Sequence, residues 1–141
     1  NKYPYRDKIL NDADGSCMIV IMTDAPLNTR NLERLAKRAM LGLAKTGGIA
    51  SNGSGDYVIA VSTAKENLIP YQSDSMFNEK KEVRNDDMSP LFLATIESTE
   101  EAILNSLFAA KTLTGRDGHT IESLPIEKVL ELMRKYNKIK Q

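Results

Sequence analysis

The sequence predicts an α/β fold, in which short apolar strands alternate with amphipathic helices. Two runs, residues 17–22 and 57–61, are continuously apolar over the length of a strand, as in strands that are buried on both faces. Apolar residues recur at helical spacing in three other segments, which begin near residues 29, 89 and 125. Two strands cannot form a sheet that covers three such helices, so we expect the missing strands to come from an upstream segment.

The first strand and the first helix have clear ends. Thr23–Pro26 ends the strand because proline lacks the N–H that a sheet ladder needs. The helix is predicted over residues 29–45, with Asn28 as its N-cap and with Gly47 and Gly48 as its stop. The apolar side of this helix consists of Leu32, Leu35, Ala36, Ala39, Met40 and Leu43.

A glycine-rich polar turn, residues 49–56, leads into the second strand. Residues 63–88, which follow that strand, are charged and irregular. Connections of this length inside a compact unit are often functional or form oligomer contacts. We therefore predict one of these two roles for residues 63–88.

The second helix is predicted to begin at Ser89–Pro90, a cap followed by a first-turn proline, and to run to about Thr112. Ser98–Glu101 has the pattern of a capping box, which leaves a break at that point open. The segment 114–118 ends this helix, and a last helix is predicted to begin at Pro125.

Composition excludes several classes of protein. The 141 residues suit one domain, and 19 Lys and Arg balance 19 Asp and Glu, so a nucleic-acid groove with its basic excess is not expected. Cys17 and His119 are the single cysteine and the single histidine, which excludes an internal disulfide and a zinc cluster within this chain. No apolar run approaches the roughly 18 residues that a membrane span requires.

The first fifteen residues are polar and are predicted to form a tail or linker. They carry neither an initiator methionine nor the basic and apolar regions of a signal peptide, so we expect the chain to be part of a longer gene product. A missing targeting sequence therefore does not decide the compartment. Our expectation is a cytoplasmic protein.

The pair Gly15–Ser16 stands between this polar segment and the first strand. A self-cleaving precursor with an N-terminal nucleophile needs a serine at such a position, and the preceding glycine leaves the scissile carbonyl unhindered. Attack of Ser16 Oγ on the Gly15 carbonyl would give an ester. Hydrolysis of that ester would free an α-amine, with a pKa of about 7.7–8.0 in model peptides, that can serve as a base. The alternative is an ordinary turn before a strand.

The turn Asn52–Asp56 lies just before the second strand, so pairing of the two strands would bring it near Ser16. Ser54 and Asp56 could then polarise the Ser16 hydroxyl and bind a substrate ammonium group. The alternative is a glycine-rich hairpin turn held by Asx hydrogen bonds. A phosphate loop is excluded because the Gly-Lys-Ser/Thr ending and the helix that should follow it are missing.

These segments resemble the cleavage region of the L-aminopeptidase/D-esterase family, which includes the D-aminopeptidases and the β-aminopeptidases. The resemblance covers about residues 14–136 and is weakest at about 65–88. The matching segments are Gly15 to Leu27, Leu32 to Ala39, Asn52 to Asp56, Glu97 to Leu107, Thr114 to His119, and the helix after Leu124–Pro125.

The resemblance implies a precursor that cuts itself between Gly15 and Ser16 into a larger α and a smaller β polypeptide. Ser16 would be the first residue of the β polypeptide and the nucleophile. Residues 1–15 would then be the linker before the cleavage site, and residues 16–141 the β-subunit portion of a single domain. The family fold is a four-layer αββα sandwich, completed here by an upstream α-subunit segment, and members commonly form tetramers of αβ units.

By position, the resemblance implies that Ser54 and Asp56 assist the nucleophile, although some relatives carry glutamate in place of Asp56. The oxyanion-hole asparagine and a site tyrosine of the family lie in the α part, outside this sequence. The implied reaction releases the N-terminal residue of a peptide, amide or ester through an acyl-enzyme on Ser16. No metal or organic cofactor, nucleic acid or membrane partner is implied.

Two other functions compete with this one. An acyltransferase related to the ornithine acetyltransferases would share the layered architecture, but those enzymes use a threonine nucleophile, and Ser16 argues against them. A catalytically silent assembly subunit would require that Ser16 never cleaves. The sequence leaves the preference for L-, D- or β-amino-acid termini open.

Overall fold

A computed structural model of the chain describes residues 15–139. The predicted tail, residues 1–15, therefore lies outside the described residues except for Gly15. The chain divides into two compact units, residues 1–100 and 101–141, which are described separately here.

The first unit alternates strands and helices, as predicted, and the α/β class is confirmed. Its elements are β1 (Met18–Thr23), α1 (Thr29–Lys45), β2 (Tyr57–Ser62) and the greater part of α2 (Ser89–Ala109). Two short 3₁₀ turns, Lys65–Asn67 and Asn85–Asp87, interrupt the long connection between β2 and α2. The second unit contains the end of α2, β3 (Leu113–Thr114), β4 (Thr120–Ile121) and α3 (Ile126–Lys135).

Strands β1 and β2 form a parallel two-stranded sheet. Met18 lies opposite Tyr57, and Thr23 lies opposite Ser62 at the other end of the ladder. Parallel neighbours need a crossover connection, and α1 supplies it while packing against both strands. The N-terminal ends of both strands therefore lie at the same edge of the sheet.

Helix α1 has the boundaries that the sequence predicts. The Asn28 side chain accepts the N–H of Asn31 at 2.8 Å, and the helix ends before Gly47, whose φ of +98° suits glycine. Asn31 is itself buried, and its side-chain oxygen accepts a hydrogen bond from Arg34 at 2.9 Å. The buried amide oxygen is thereby satisfied.

The hydrophobic core of the first unit is centred on Leu27, Leu35 and Met88. Partly buried apolar residues pack around these three, and among them Phe92 lies under the guanidinium of Arg38, 4.0 Å from the ring centroid. The partly buried set consists of Ile21, Ala25, Leu32, Ala60, Val83, Leu91 and Phe92. Residues from β1, α1, β2, the 63–88 connection and α2 thus share one core.

The prediction that both strands are buried on both faces is wrong for the described residues. Alternate side chains on one side of the sheet are exposed, because α1 covers only the other side. Met18 is 70% exposed and Met22 72%. We call this side the open face; it consists of Met18, Val20, Met22, Tyr57 and Ile59.

Helix α2 is continuous, so the break left open at Ser98–Glu101 does not occur. The hydroxyls of Ser98 and Thr99 instead bond back to the carbonyl oxygen of Thr95, at 3.3 and 2.7 Å. The helix ends at Ala109, three residues before the predicted end. None of the described helices has the length and apolarity needed to cross a membrane.

The second unit contains a small hairpin that the sequence prediction missed. Leu113 pairs with Ile121 and Thr114 with Thr120 in antiparallel register. Asp117 and Gly118 in the connecting turn both have positive φ, at 58° and 75°. An Asp-Gly pair is a recognised hairpin signal, and it was present in the sequence. Helix α3 begins one residue after the predicted Pro125.

Gly42 provides a test of how closely α1 and α2 pack within the first unit. A Cβ at this position would lie 2.6 Å from the Ile96 carbonyl oxygen and 2.7 Å from Thr99 Cβ. Gly42→Ala should destabilise the protein by about 1–3 kcal/mol through overpacking, although alanine is favoured over glycine in a helix by about 1 kcal/mol. Denaturant unfolding measures the change.

The matched control for Gly42→Ala is Glu33→Ala, on the solvent side of the same helix. It removes an exposed ion pair with Lys37 and should leave the unfolding midpoint almost unchanged. A stability equal to or above wild type in Gly42→Ala would contradict the described contact between the helices.

Candidate functional site

The pairing of β1 and β2 brings the two predicted motifs together. Ser16 lies two residues before β1, and the turn that contains Ser54 lies directly before β2. The Tyr57 N–H donates to the Cys17 carbonyl oxygen at 3.2 Å, which extends the ladder beyond the first strand residues. Segments 39 residues apart in sequence therefore face each other at one edge of the sheet.

Asp56 is the residue that connects these segments. Its Oδ1 accepts the backbone N–H of Cys17 at 2.7 Å, and its Oδ2 accepts the Ser54 hydroxyl at 2.5 Å. Both contacts are partly buried, and hydrogen bonds to a carboxylate are stronger than those between neutral groups. Asp56 thus fixes the backbone directly after Ser16 and orients Ser54 at the same time.

Ser54 also reaches the peptide bond between Gly15 and Ser16. Its Oγ lies 3.1 Å from the Gly15 carbonyl oxygen, within hydrogen-bond distance. A serine hydroxyl has one hydrogen, so it can donate to Gly15 or to Asp56 at any moment, but not to both. Ser54 thus places a hydroxyl donor beside the Gly15 carbonyl oxygen.

The Ser16 side chain is held by the turn before β2. Its Oγ accepts the backbone N–H of Gly55 at 3.0 Å. Ser16 is exposed in the described chain, so its hydroxyl is accessible at the sheet edge.

The structure thus brings together all four residues predicted for the site, namely Gly15, Ser16, Ser54 and Asp56. Their catalytic roles remain predictions. The backbone N–H groups of Cys17 and Gly55 were missed, because a sequence identifies side chains but does not show in which direction a backbone amide points. The signal available was the position of Gly55 between Ser54 and Asp56.

His119 belongs to the hairpin of the second unit, where its backbone N–H donates to Arg116 at 3.2 Å. Among residues 15–139, no group of three or more His, Cys, Asp or Glu side chains is placed to hold a metal ion.

Comparison with protein families gives a match over most of the chain. Residues 2–121 match the model of peptidase family S58. The chain belongs to peptidase family S58. The resemblance to the L-aminopeptidase/D-esterase family that the sequence motifs indicate is thereby confirmed.

Relatives of known name agree with the S58 assignment. A beta-peptidyl aminopeptidase, BapA of Sphingosinicella microcystinivorans, is 42% identical over 126 residues, which cover 89% of this chain and 31% of that protein. This S58 chain thus spans about a third of the length of the curated relatives that it matches.

Solved structures place the chain in an N-terminal-nucleophile fold. The L-aminopeptidase D-Ala-esterase/amidase of Ochrobactrum anthropi, described as a prototype of the serine aminopeptidases and a variant of the Ntn hydrolase fold, is 31% identical with a TM-score of 0.76. The match covers 86% of this chain and 34% of that one. A protein of Pyrococcus horikoshii OT3 is 48% identical with a TM-score of 0.74, and the match covers 84% of this chain and 33% of that one. The four-layer sandwich itself remains a prediction.

Asp56→Ala tests the link between the two strand ends. The substitution leaves the partly buried Cys17 N–H without its acceptor, and we expect a destabilisation of about 1–3 kcal/mol. Asp56→Asn keeps one oxygen acceptor and should cost less. Denaturant unfolding in a Ser16→Ala background measures both effects without any difference in processing.

The control for this pair is Asp24→Ala, which removes an exposed carboxylate beyond the other end of β1. Its unfolding midpoint should match that of the background. Equal stability of the Asp56→Ala and Asp24→Ala proteins would show that Asp56 does not hold the strand ends.

Proposed function

We propose that this chain is the nucleophile-bearing part of a self-processing serine aminopeptidase. The single observation that carries the proposal is the arrangement around the intact Gly15–Ser16 peptide bond. The Ser54 hydroxyl lies 3.1 Å from its carbonyl oxygen, and the carboxylate of Asp56 holds both Ser54 and the Cys17 N–H. Membership of family S58 favours a peptidase over the acyltransferase alternative.

In the proposed self-cleavage, Ser16 Oγ attacks the Gly15 carbonyl carbon. The new Oγ–C bond forms, the C–N bond between Gly15 and Ser16 breaks, and the hydroxyl proton ends on the Ser16 nitrogen. Ser54 donates to the Gly15 oxygen while that oxygen carries negative charge. Water then hydrolyses the ester, which leaves a carboxylate on Gly15 and restores the hydroxyl of Ser16.

The same hydroxyl then performs the hydrolysis of substrates. The freed α-amine of Ser16 takes the Oγ proton, as in other N-terminal nucleophiles, and Oγ attacks the carbonyl of the substrate's first residue. The proton passes to the leaving amine or alcohol, and water hydrolyses the acyl-enzyme. The departure of Gly15 removes one acceptor of the Ser54 hydroxyl. Ser54 and Asp56 then assist the nucleophile and receive the substrate's ammonium group.

The named relatives support a proposal for the substrate class. These are a beta-peptidyl aminopeptidase and an L-aminopeptidase with D-Ala-esterase and amidase activity. We therefore propose peptides, amides or esters with a free amino terminus as substrates of this protein.

The partner that we propose is the upstream α segment of the same precursor. The exposed apolar side chains of the open face support this, since further strands would cover them. Assembly into tetramers of αβ units is part of the same proposal.

Ser16→Ala in the full-length gene product is the direct test. The wild type should give two fragments by intact-mass spectrometry, with the smaller beginning at Ser16, whereas the variant should remain one chain. The wild type should also hydrolyse peptides, amides or esters with a free amino terminus, and it should leave N-acetylated ones intact.

A single uncut chain in both proteins, with no hydrolysis of such substrates, would contradict the proposal. That outcome would favour the silent assembly subunit. Cleavage at another peptide bond would overturn the assignment of Ser16.

Ser54→Ala tests the donor at the scissile carbonyl. Removal of one such donor costs catalysis about 10²–10³-fold, and we expect self-cleavage to slow to that extent. Ser51→Ala, three residues earlier in the same turn, is the matched control and should process like the wild type. Processing of Ser54→Ala at the rate of Ser51→Ala would exclude a role for Ser54. Time courses of fragment formation distinguish these outcomes.

A further inference from the structure

We infer that Gly55 is a further catalytic residue, which acts through its backbone N–H and through its lack of a side chain. The inference rests on the proposed function, because it concerns the hydroxyl that would cleave the precursor and the substrate. Gly55 stands between Ser54 and Asp56 in sequence, and its amide is the group that contacts Ser16 Oγ, at 3.0 Å.

The Gly55 N–H is held in a fixed direction. On one side, the Ser54 N–H donates to the Ser51 carbonyl oxygen at 2.9 Å, which closes the turn. On the other side, the Asp56 side chain and the Tyr57 N–H are both bonded to Cys17. A donor that is fixed before the reaction stabilises developing charge without the cost of reorientation. The nucleophile oxygen is where such charge develops as its proton leaves.

A side chain at Gly55 would crowd Ser16. A Cβ built on Gly55 would lie 3.0 Å from Ser16 Oγ and 3.7 Å from Ser16 Cβ, and, among residues 15–139 other than its two chain neighbours, no further atom lies within 4 Å. The backbone of Gly55 is not in the left-handed region, so the turn itself would accept another residue. The close approach of Ser16 is therefore the constraint that a side chain at this position would meet.

The same N–H faces Oγ in both halves of the reaction. During attack, the bond from Oγ to the carbonyl carbon forms as Oγ loses its proton. During deacylation, water supplies its OH to the acyl group, and the bond from Oγ breaks as Oγ regains a proton. A displaced Oγ therefore slows both self-cleavage and substrate hydrolysis.

Gly55→Ala in the full-length precursor tests the inference. The methyl group would move Ser16 Oγ by a few tenths of an ångström. Since a misplacement of about 1 Å costs about 10²-fold, we expect self-cleavage and kcat to fall by about 10-fold with KM nearly unchanged. The matched control is Gly115→Ala, where a methyl group would meet only the His119 carbonyl oxygen at 3.8 Å. It should process and turn over like the wild type.

Three outcomes are distinguishable in this experiment. A slow Gly55→Ala beside a normal Gly115→Ala supports the inference. If the wild type cleaves and Gly55→Ala has the same cleavage rate and kcat, the inference is overturned and the proposed function stands. A wild type that neither cleaves nor hydrolyses overturns both.

A double variant answers the objection that Gly55→Ala merely misfolds. In a Ser16→Ala background the oxygen that the new methyl group would crowd is absent. Gly55→Ala should therefore leave the thermal midpoint of the Ser16→Ala protein unchanged. A large loss of stability in that background would show that Gly55 serves the turn, and it would overturn the inference.

Discussion

The parallel register of β1 and β2 is the constraint on which the candidate site depends. Met18 opposite Tyr57 places Ser16 beside the turn that contains Ser54 and Asp56. A slip of one residue would turn every side chain of a strand to the other face of the sheet. It would also carry Asp56 away from the Cys17 N–H. The site is therefore a property of strand pairing more than of any one residue.

Packing on one side of the sheet holds this register. Helix α1 covers the face opposite the open face. The core around Leu27, Leu35 and Met88 packs the sheet and α1 against the long connection and α2. Polar contacts strengthen the same link, since Arg34 bonds to Asn85 at 2.7 Å and Asn28 to Glu82 at 2.8 Å. The candidate site lies at the N-terminal ends of the strands, whereas the long connection begins at the C-terminal end of β2.

The sequence predicts this arrangement to an uneven degree. Helix α1 was predictable to the residue, since Asn28 and Gly47 mark its ends and its apolar spacing is regular. The strands were also predictable, but the exposure of one face was not, because an apolar sequence does not show which elements cover each face of a strand. The hairpin after α2 was missed, since two-residue strands are too short for a periodic pattern.

The site shows the same division between side chains and backbone. Ser16, Ser54 and Asp56 were identified from residue type and from their position before strands. The roles of the Cys17 and Gly55 amides needed coordinates, because amide directions follow from the fold. Asp56 illustrates this difference. A carboxylate near Ser16 was expected, but one of its oxygens accepts the backbone N–H of Cys17 and does not contact the Ser16 hydroxyl.

Strand pairing places the Gly15–Ser16 peptide bond beside Ser54 and Asp56. A crystal structure of the uncleaved full-length Ser16→Ala precursor tests it most directly. We expect Ser54 Oγ at about 3 Å from the Gly15 carbonyl oxygen, and the Cys17 N–H bonded to Asp56. A Gly15 carbonyl turned away from Ser54, or a strand register other than Met18 opposite Tyr57, would contradict the account.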